Sequence, residues 1–302
     1  MKEVLENFLK KDFYEVLCTA NTLRRIYKGD VVELCAIVNA KSGACSGDCK
    51  FCAQSAKHKT GVKVYPLLEV KDIIPLAKKA KEDKVKRFSL VTSGIKLSKK
   101  EVLKLGEIIE KLISVGISLC ASVGLISKEE IKYLKDCGLT RLHCNLETSE
   151  EFFPKICTTH SFYDKVKTLE SAKEVGLSVC SGGIFGIGET WEDRLSLALT
   201  LKKLDVDSVP VNFLIPIKGT PLESTKMLEP FEALRIIAFL RLILPEKDIR
   251  IAGGRKQVLK DFSSWIFIAG ANALMTGNYL TTKGVSFEED LNFIKLHELY
   301  II

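Results

Sequence analysis

Three observations predict a closed (β/α)8 barrel for this chain. Eight short apolar runs alternate with amphipathic helical segments at intervals of roughly 30 residues, the repeat of a βα unit. No long linker, internal repeat or low-complexity tract interrupts the alternation. A length of 302 residues suits one barrel folded as a single domain.

In chain order, residues 5–28 read as an amphipathic helix, within a helical extension over 1–30 that precedes the barrel in a single domain spanning 1–302. The predicted strands are Val32–Val38, Arg87–Val91, Ser118–Val123, Arg141–Glu147, Leu177–Gly183, Ser208–Ile215, Asp248–Ala252 and Ala271–Thr276. Between them, Val102, Leu105, Ile109 and Leu112 form a helical stripe, as do Tyr163, Val166, Leu169 and Ala172. Four helices open on capping boxes or their Asp variants: Ser98 with Glu101, Ser127 with Glu130, Ser161 with Asp164 and Thr190 with Asp193.

Composition narrows the class. A hydrophobic fraction of 46% with only 8 prolines argues for a folded core. The longest apolar run, Trp265–Met275, is broken by Gly270 and Asn272 and is too short to span a bilayer. The N-terminus carries charges of both signs and no secretory pattern, so a cytoplasmic protein without a membrane anchor is expected. Its ten cysteines then read as reduced thiols or metal ligands rather than a disulfide framework. The net charge of +7 is spread over solvated helix faces such as Lys78, Lys79, Lys81, Lys84 and Lys86, and no basic run interleaves with aromatics, so no nucleic-acid partner is expected.

Strand parity points to a polar lumen. Ser118, Cys120 and Ser122 share one face of the third strand, and His143, Asn145 and Glu147 share one face of the fourth. Ser178, Cys180 and Gly182 do so on the fifth, and Arg250 stands opposite Ile249 and Ile251 on the seventh. Since the apolar faces pack on the helices, the polar faces look inward, and burying them requires partners. The barrel is therefore expected to enclose a cofactor and a polar substrate.

The chemistry-bearing motif follows the first strand. Cys45, Cys49 and Cys52 form a C-x3-C-x2-C run without a fourth nearby cysteine. Structural zinc favours four ligands, usually in two close pairs. A cubane 4Fe–4S cluster held by three thiolates would instead keep one iron free to bind a small molecule. Cys18, Cys35 and Cys137 sit on apolar stretches and read as buried small hydrophobes. His58, His160 and His297 have no second ligand at metal spacing, whereas the inward face of His143 suits a substrate or cluster contact. The Gly186-Ile-Gly188-Glu189 turn reads as a place where backbone approaches the cofactor.

The triplet, with an aromatic Phe51 before its last cysteine, matches the motif of radical S-adenosylmethionine (SAM) enzymes. Over nearly its whole length the chain further resembles the biotin synthase family. The resemblance rests on Ser42–Ser55, Asn145–Ser149, Val179–Thr190, Ser208–Asn212, Lys218–Leu222, Ile249–Arg255 and Ala269–Asn272 taken in this order. It implies that a 4Fe–4S cluster on Cys45, Cys49 and Cys52 splits SAM to a 5′-deoxyadenosyl radical. That radical abstracts hydrogen from desthiobiotin, and sulfur from an auxiliary iron–sulfur cluster closes the biotin ring. Asn145 and Glu147 match ribose-holding positions, although the family more often has Asp at the latter. Ile184 and Ile215 match positions lining the adenine, beside Phe51. Asn212 and His143 match positions at the substrate ureido group, where asparagine is usual at the latter, and Thr281 and Thr282 those at its carboxylate. An electron donor such as flavodoxin or ferredoxin and a homodimer are also implied. The nearest rival is a similar barrel of the hydrogenase-maturation type.

Cys120, Cys180 and Arg250 match three ligands of the auxiliary cluster, a 2Fe–2S group in most of the family. Ser89 stands where the best-known members have the fourth, a cysteine. Two extra cysteines, Cys144 and Cys157, resemble the pattern of obligate anaerobes, in which the auxiliary cluster has four irons and an extra sulfide. The expected ligand set is therefore Cys120 and Cys180 with one of Cys144 or Cys157; parity turns Cys144 outward in a regular strand.

Overall fold

The computed structural model describes residues 2–277 and 284–302. Its strands are β1 (Val31–Lys41), β2 (Arg87–Thr92), β3 (Ser118–Ser122), β4 (Arg141–His143), β5 (Ser178–Cys180), β6 (Gly183–Phe185), β7 (Ser208–Phe213), β8 (Asp248–Ile251), β9 (Ala273–Met275) and β10 (Tyr300–Ile301). All pair in parallel, in the order β1-β2-β3-β4-β5-β7-β8-β9, and β9 returns to β1 to close the barrel. β6 continues the β5 segment against β7, and β10 adds a short strand beside β1. Each of the eight predicted strands is present. The long fifth one is split because the chain bends at Ser181-Gly182, where a Cβ on Gly182 would lie 2.0 Å from the Pro210 carbonyl oxygen. β10 had no signal in its two-residue length.

The four expected capping boxes are all closed, with each Ser or Thr accepting from the third helical amide and the acidic side chain returning to the cap backbone. A fifth, Ser286 with Glu289, opens the last helix. The single helix read over 5–28 is instead two, Lys2–Lys10 and Phe13–Lys28. Asp12 divides them, because its carboxylate accepts from the Tyr14 and Glu15 amides and starts a new helix.

The helix Phe13–Lys28 packs against the helix Pro230–Ile243 at the foot of the barrel. There the fully buried Arg241 donates to the carbonyls of Gly270, Pro245 and Lys247 and to Asn272 Oδ1. Gly270, at φ +101°, is needed for this fit, since a Cβ would meet the Arg241 side chain at 2.8 Å. Asn272 also accepts from the Ile249 amide and donates to Asp248, tying the approach to β9 to β8. No helix among the described residues is long and apolar enough to cross a membrane.

Candidate active site

The barrel's C-terminal rim carries a cavity of about 420 Å³. Cys45, Cys49, Phe51 and Cys52 line it from the loop after β1; His143, Cys144, Asn145 and Glu147 from the end of β4; and Ile184, Asn212 and Ile215 from β6, β7 and the segment beyond. The predicted cluster, cofactor and ureido-binding positions therefore converge on one space. Thr281 and Thr282 lie outside the described residues.

Local hydrogen bonds shape the cluster loop. The Cys45 amide donates to the Gln54 carbonyl and the Ala56 amide to the Cys45 carbonyl, bringing the two ends of the cysteine run together. The Cys52 amide donates to the Cys49 carbonyl at 2.9 Å, and the Gly47 amide lies 3.3 Å from Cys45 Sγ. A second loop holds the first in place: Asp48 accepts from the amide of Thr158 at 2.9 Å and from both backbone and hydroxyl of Thr159. These bonds hold the Asp48 carboxyl well below its ordinary range, against the opposing effect of desolvation.

Glu147 adopts φ +72°, a left-handed backbone conformation that is uncommon for residues other than glycine. Its backbone still bridges β5 and β6, donating to the Gly182 carbonyl and accepting from the Ile184 amide. Burial raises its pKa, and Lys165, 3.7 Å away, works in the opposite direction. Lys165 also donates to the Asn145 carbonyl at 2.8 Å, so one half-buried cation braces both ribose-matching residues. Asn145 Oδ1 accepts from the Gly182 amide, and Asn212 is set by accepting from Gly253 and donating to Gly183.

Beneath the cavity, the lumen holds a ring of charge. Glu33 on β1 meets Arg250, Arg87 at 3.2 Å and Arg141 at 3.7 Å, a single carboxylate among three guanidinium groups. Cys120 and Cys180, both fully buried, share this layer: Cys120 is in register with Ser89 and Arg141, and Cys180 with His143. Burial pushes the Cys120 thiol up to about 12 and the Cys180 thiol up to about 11, with arginines opposing the rise. His143 is pushed down to about 3, by desolvation first and then by Arg141, Arg250 and Arg87, and is therefore a neutral imidazole.

Several expectations change here. Cys157 does not join Cys120 and Cys180; its sulfur lies 3.6 Å from Cys49 Sγ, 3.4 Å from Asp48 and 3.4 Å from His160 Nδ1. The parity argument for Cys144 does not apply, because β4 ends at His143 and the regular alternation ends with it. Cys144 is buried and borders the cavity, with Lys165 and Glu147 as electrostatic neighbours. His160, which has no second ligand at metal spacing in the sequence, gains two in the fold, since its ring groups with Cys49 and Cys157. Arg250 is lumenal as expected, but its direct partner is Glu33, a residue the sequence reading passed over. Cys18 is exposed rather than buried. The amides of Gly186 and Ile187 are taken by Glu189, which Arg194 holds at 2.9 Å, so that turn closes on itself instead of on the cavity. Arg255, unassigned from sequence, is paired with Asp290 inside the fold.

Comparison with known proteins fits this geometry. Residues 40–201 match the Radical SAM superfamily, and residues 210–300 match the Biotin and Thiamin Synthesis associated domain. A biotin synthase of Thermodesulfovibrio yellowstonii is 60% identical over 99% of this chain and 94% of its own. This chain belongs to the biotin synthase family of radical SAM enzymes. Another biotin synthase, from Thermotoga petrophila, is 51% identical over 98% of both chains. Among solved structures, methylornithine synthase matches with a TM-score of 0.86 at 21% identity over 100% of this chain and 94% of that one. The FeFe-hydrogenase maturase HydG from Carboxydothermus hydrogenoformans matches with a TM-score of 0.82 at 18% identity, over 97% of this chain and 73% of that one. At those identities they share the fold alone.

The residues present fit the groups this family carries. At the rim, three thiols stand on one hydrogen-bonded loop beside a cavity large enough for a nucleoside. In the lumen, Ser89 Oγ, His143 Nε2 and Arg141 Nη1 are buried without hydrogen-bond partners among the described residues, which fits a space where a further polar group belongs.

Proposed function

We propose that this chain inserts sulfur into desthiobiotin to form biotin, with SAM as the radical source and an auxiliary iron–sulfur cluster as the sulfur source. The observation that carries this reading is one cavity that takes in the Cys45, Cys49 and Cys52 loop as well as Ser89 and His143, whose buried Oγ and Nε2 have no hydrogen-bond partner among the described residues. When bound, the rim 4Fe–4S cluster supplies the electron that splits SAM, and the lumen cluster supplies sulfur.

The chain's own residues position and insulate. Asn145 and Glu147 hold the SAM ribose, braced by Lys165, while Phe51, Ile184 and Ile215 cover the adenine. Asn212 and the neutral His143 take the ureido group of desthiobiotin, and the imidazole offers one donor and one acceptor. Thr281 and Thr282 take its carboxylate. Arg250, Arg87 and Arg141 place positive charge beside an anionic cluster. The buried lumen keeps water from a carbon radical. The resemblance to the enzymes of obligate anaerobes, with Ser89 where a cysteine is usual and with the extra Cys144 and Cys157, supports an auxiliary group of the four-iron type with an extra sulfide. A flavodoxin or ferredoxin supplies electrons in a cytoplasmic homodimer.

Oxygen-free protein loaded with iron and sulfide is incubated with desthiobiotin, SAM and a reductant. Mass detection of biotin and its mono-thiol intermediate supports the reading; 5′-deoxyadenosine without either product refutes it and favours a different substrate.

A further inference from the structure

We propose that Cys35, on β1, is the third protein thiolate of the auxiliary cluster, completing a set with Cys120 and Cys180. This rests on the function proposed above. Parity gives the direction of the side chain. Glu33 reaches the lumenal arginines and Ile37 lines the cavity, so Cys35, midway between them on the same strand, faces inward too. Its register partners are Arg87, a member of the charged ring, and Met275, which lines the cavity.

The neighbours agree. Cys35 is fully buried, and its thiol lies within electrostatic reach of Cys120, Cys180 and Arg250 alike. Cys144 and Cys157, by contrast, have Lys165, Glu147, Cys49 and His160 around them, and so belong to the rim. Nor are Cys35, Cys120 and Cys180 gathered to single-ion spacing as Cys49, Cys157 and His160 are. The rim triplet is not gathered that way either. A looser triangle is what a multi-iron cluster requires, because each thiolate binds a different iron.

Ser89 explains the need. It stands on β2, in register with Ile37 of β1 and Cys120 of β3, and its hydroxyl has no partner. A thiol lost from β2 is thus supplied from β1, the adjacent strand. The charge count also fits: three guanidinium groups against one carboxylate leave the layer cationic, offsetting the negative charge of a tris-thiolate cluster.

The test removes the rim cluster so that only lumen iron is counted. Full-length protein carrying Cys45→Ala, Cys49→Ala and Cys52→Ala is reconstituted without oxygen, using ferrous iron and sulfide, and read by iron and sulfide content and Mössbauer spectrum. Adding Cys35→Ser is expected to lower bound iron about fivefold or more, while adding Cys144→Ser or Cys157→Ser leaves it unchanged. Combining Cys35→Ser with Ser89→Cys is expected to recover iron, by returning a thiol to the neighbouring strand. Circular dichroism and melting of the metal-free variants separate lost ligation from lost fold. Iron retained in a folded Cys35→Ser protein, or lost on Cys157→Ser, overturns the assignment while the function stands. A parent that binds no iron at all overturns the auxiliary-cluster reading itself.

Discussion

The rim and the lumen of this barrel are both thiol sites, yet they are built in opposite ways. At the rim, Cys45, Cys49 and Cys52 fall within one eight-residue stretch, shaped by its own backbone bonds and secured by one carboxylate, Asp48. In the lumen, Glu33 meets Arg250 across 217 positions of sequence, and Cys120 and Cys180 come from different strands. A contiguous loop can be altered without disturbing the barrel. A ring assembled by strand register cannot, because its side chains also neutralise one another in the core.

The largest effect that sharpens this contrast is at the rim. Cys49→Ala is expected to lower reductive SAM cleavage by on the order of 10³-fold or more, as for a group that acts only as part of a unit. Unfolding of the metal-free protein should scarcely move. Quantifying 5′-deoxyadenosine, together with a denaturant titration, checks both halves.

Glu33→Gln should do the reverse. Removing the carboxylate that pairs with Arg87, Arg141 and Arg250 leaves buried positive charge without its ion-pair partner, at a cost of about 3–5 kcal/mol. A urea titration of metal-free protein measures it; a cost below about 1 kcal/mol breaks the claim that the lumen is structurally coupled.

His143 makes the lumen's floor sensitive to acid. Its folded pKa of about 3 lies below the ordinary 6.5, so the unfolded chain binds the extra proton first. Stability from this group is therefore complete above about pH 6.5 and is lost as pH falls towards about 3, by a few kcal/mol at most because the ring borders an open cavity. Unfolding free energies of wild type and His143→Asn across that window should converge at neutral pH and separate in acid.

The smallest effect returns to the rim. Asp48→Asn weakens the bonds from Thr158 and Thr159, and should cost about 1–2 kcal/mol with little change in the core. Hydrogen exchange confined to the cluster loop is the expected signature; exchange spreading to β3 and β4 contradicts it.

What the residues alone determined is whatever is local or periodic. Eight strands, four capping boxes, the cysteine loop and the inward faces of β3, β4 and β8 all follow from spacing, since a backbone period or a short covalent reach leaves few alternatives. Tertiary structure decided which thiols become neighbours. Cys157 was one of two candidates for the third lumenal ligand, yet the loop after β4 carries it to Cys49; Cys35 looked like filler in an apolar run, yet the closed barrel puts it on the inward face of β1 with Glu33 and Ile37. Parity applied to Glu33, Cys35 and Ile37 could have found that inward face. It could not have named the partners across the lumen, because the register of a closed sheet is a property of all its strands together.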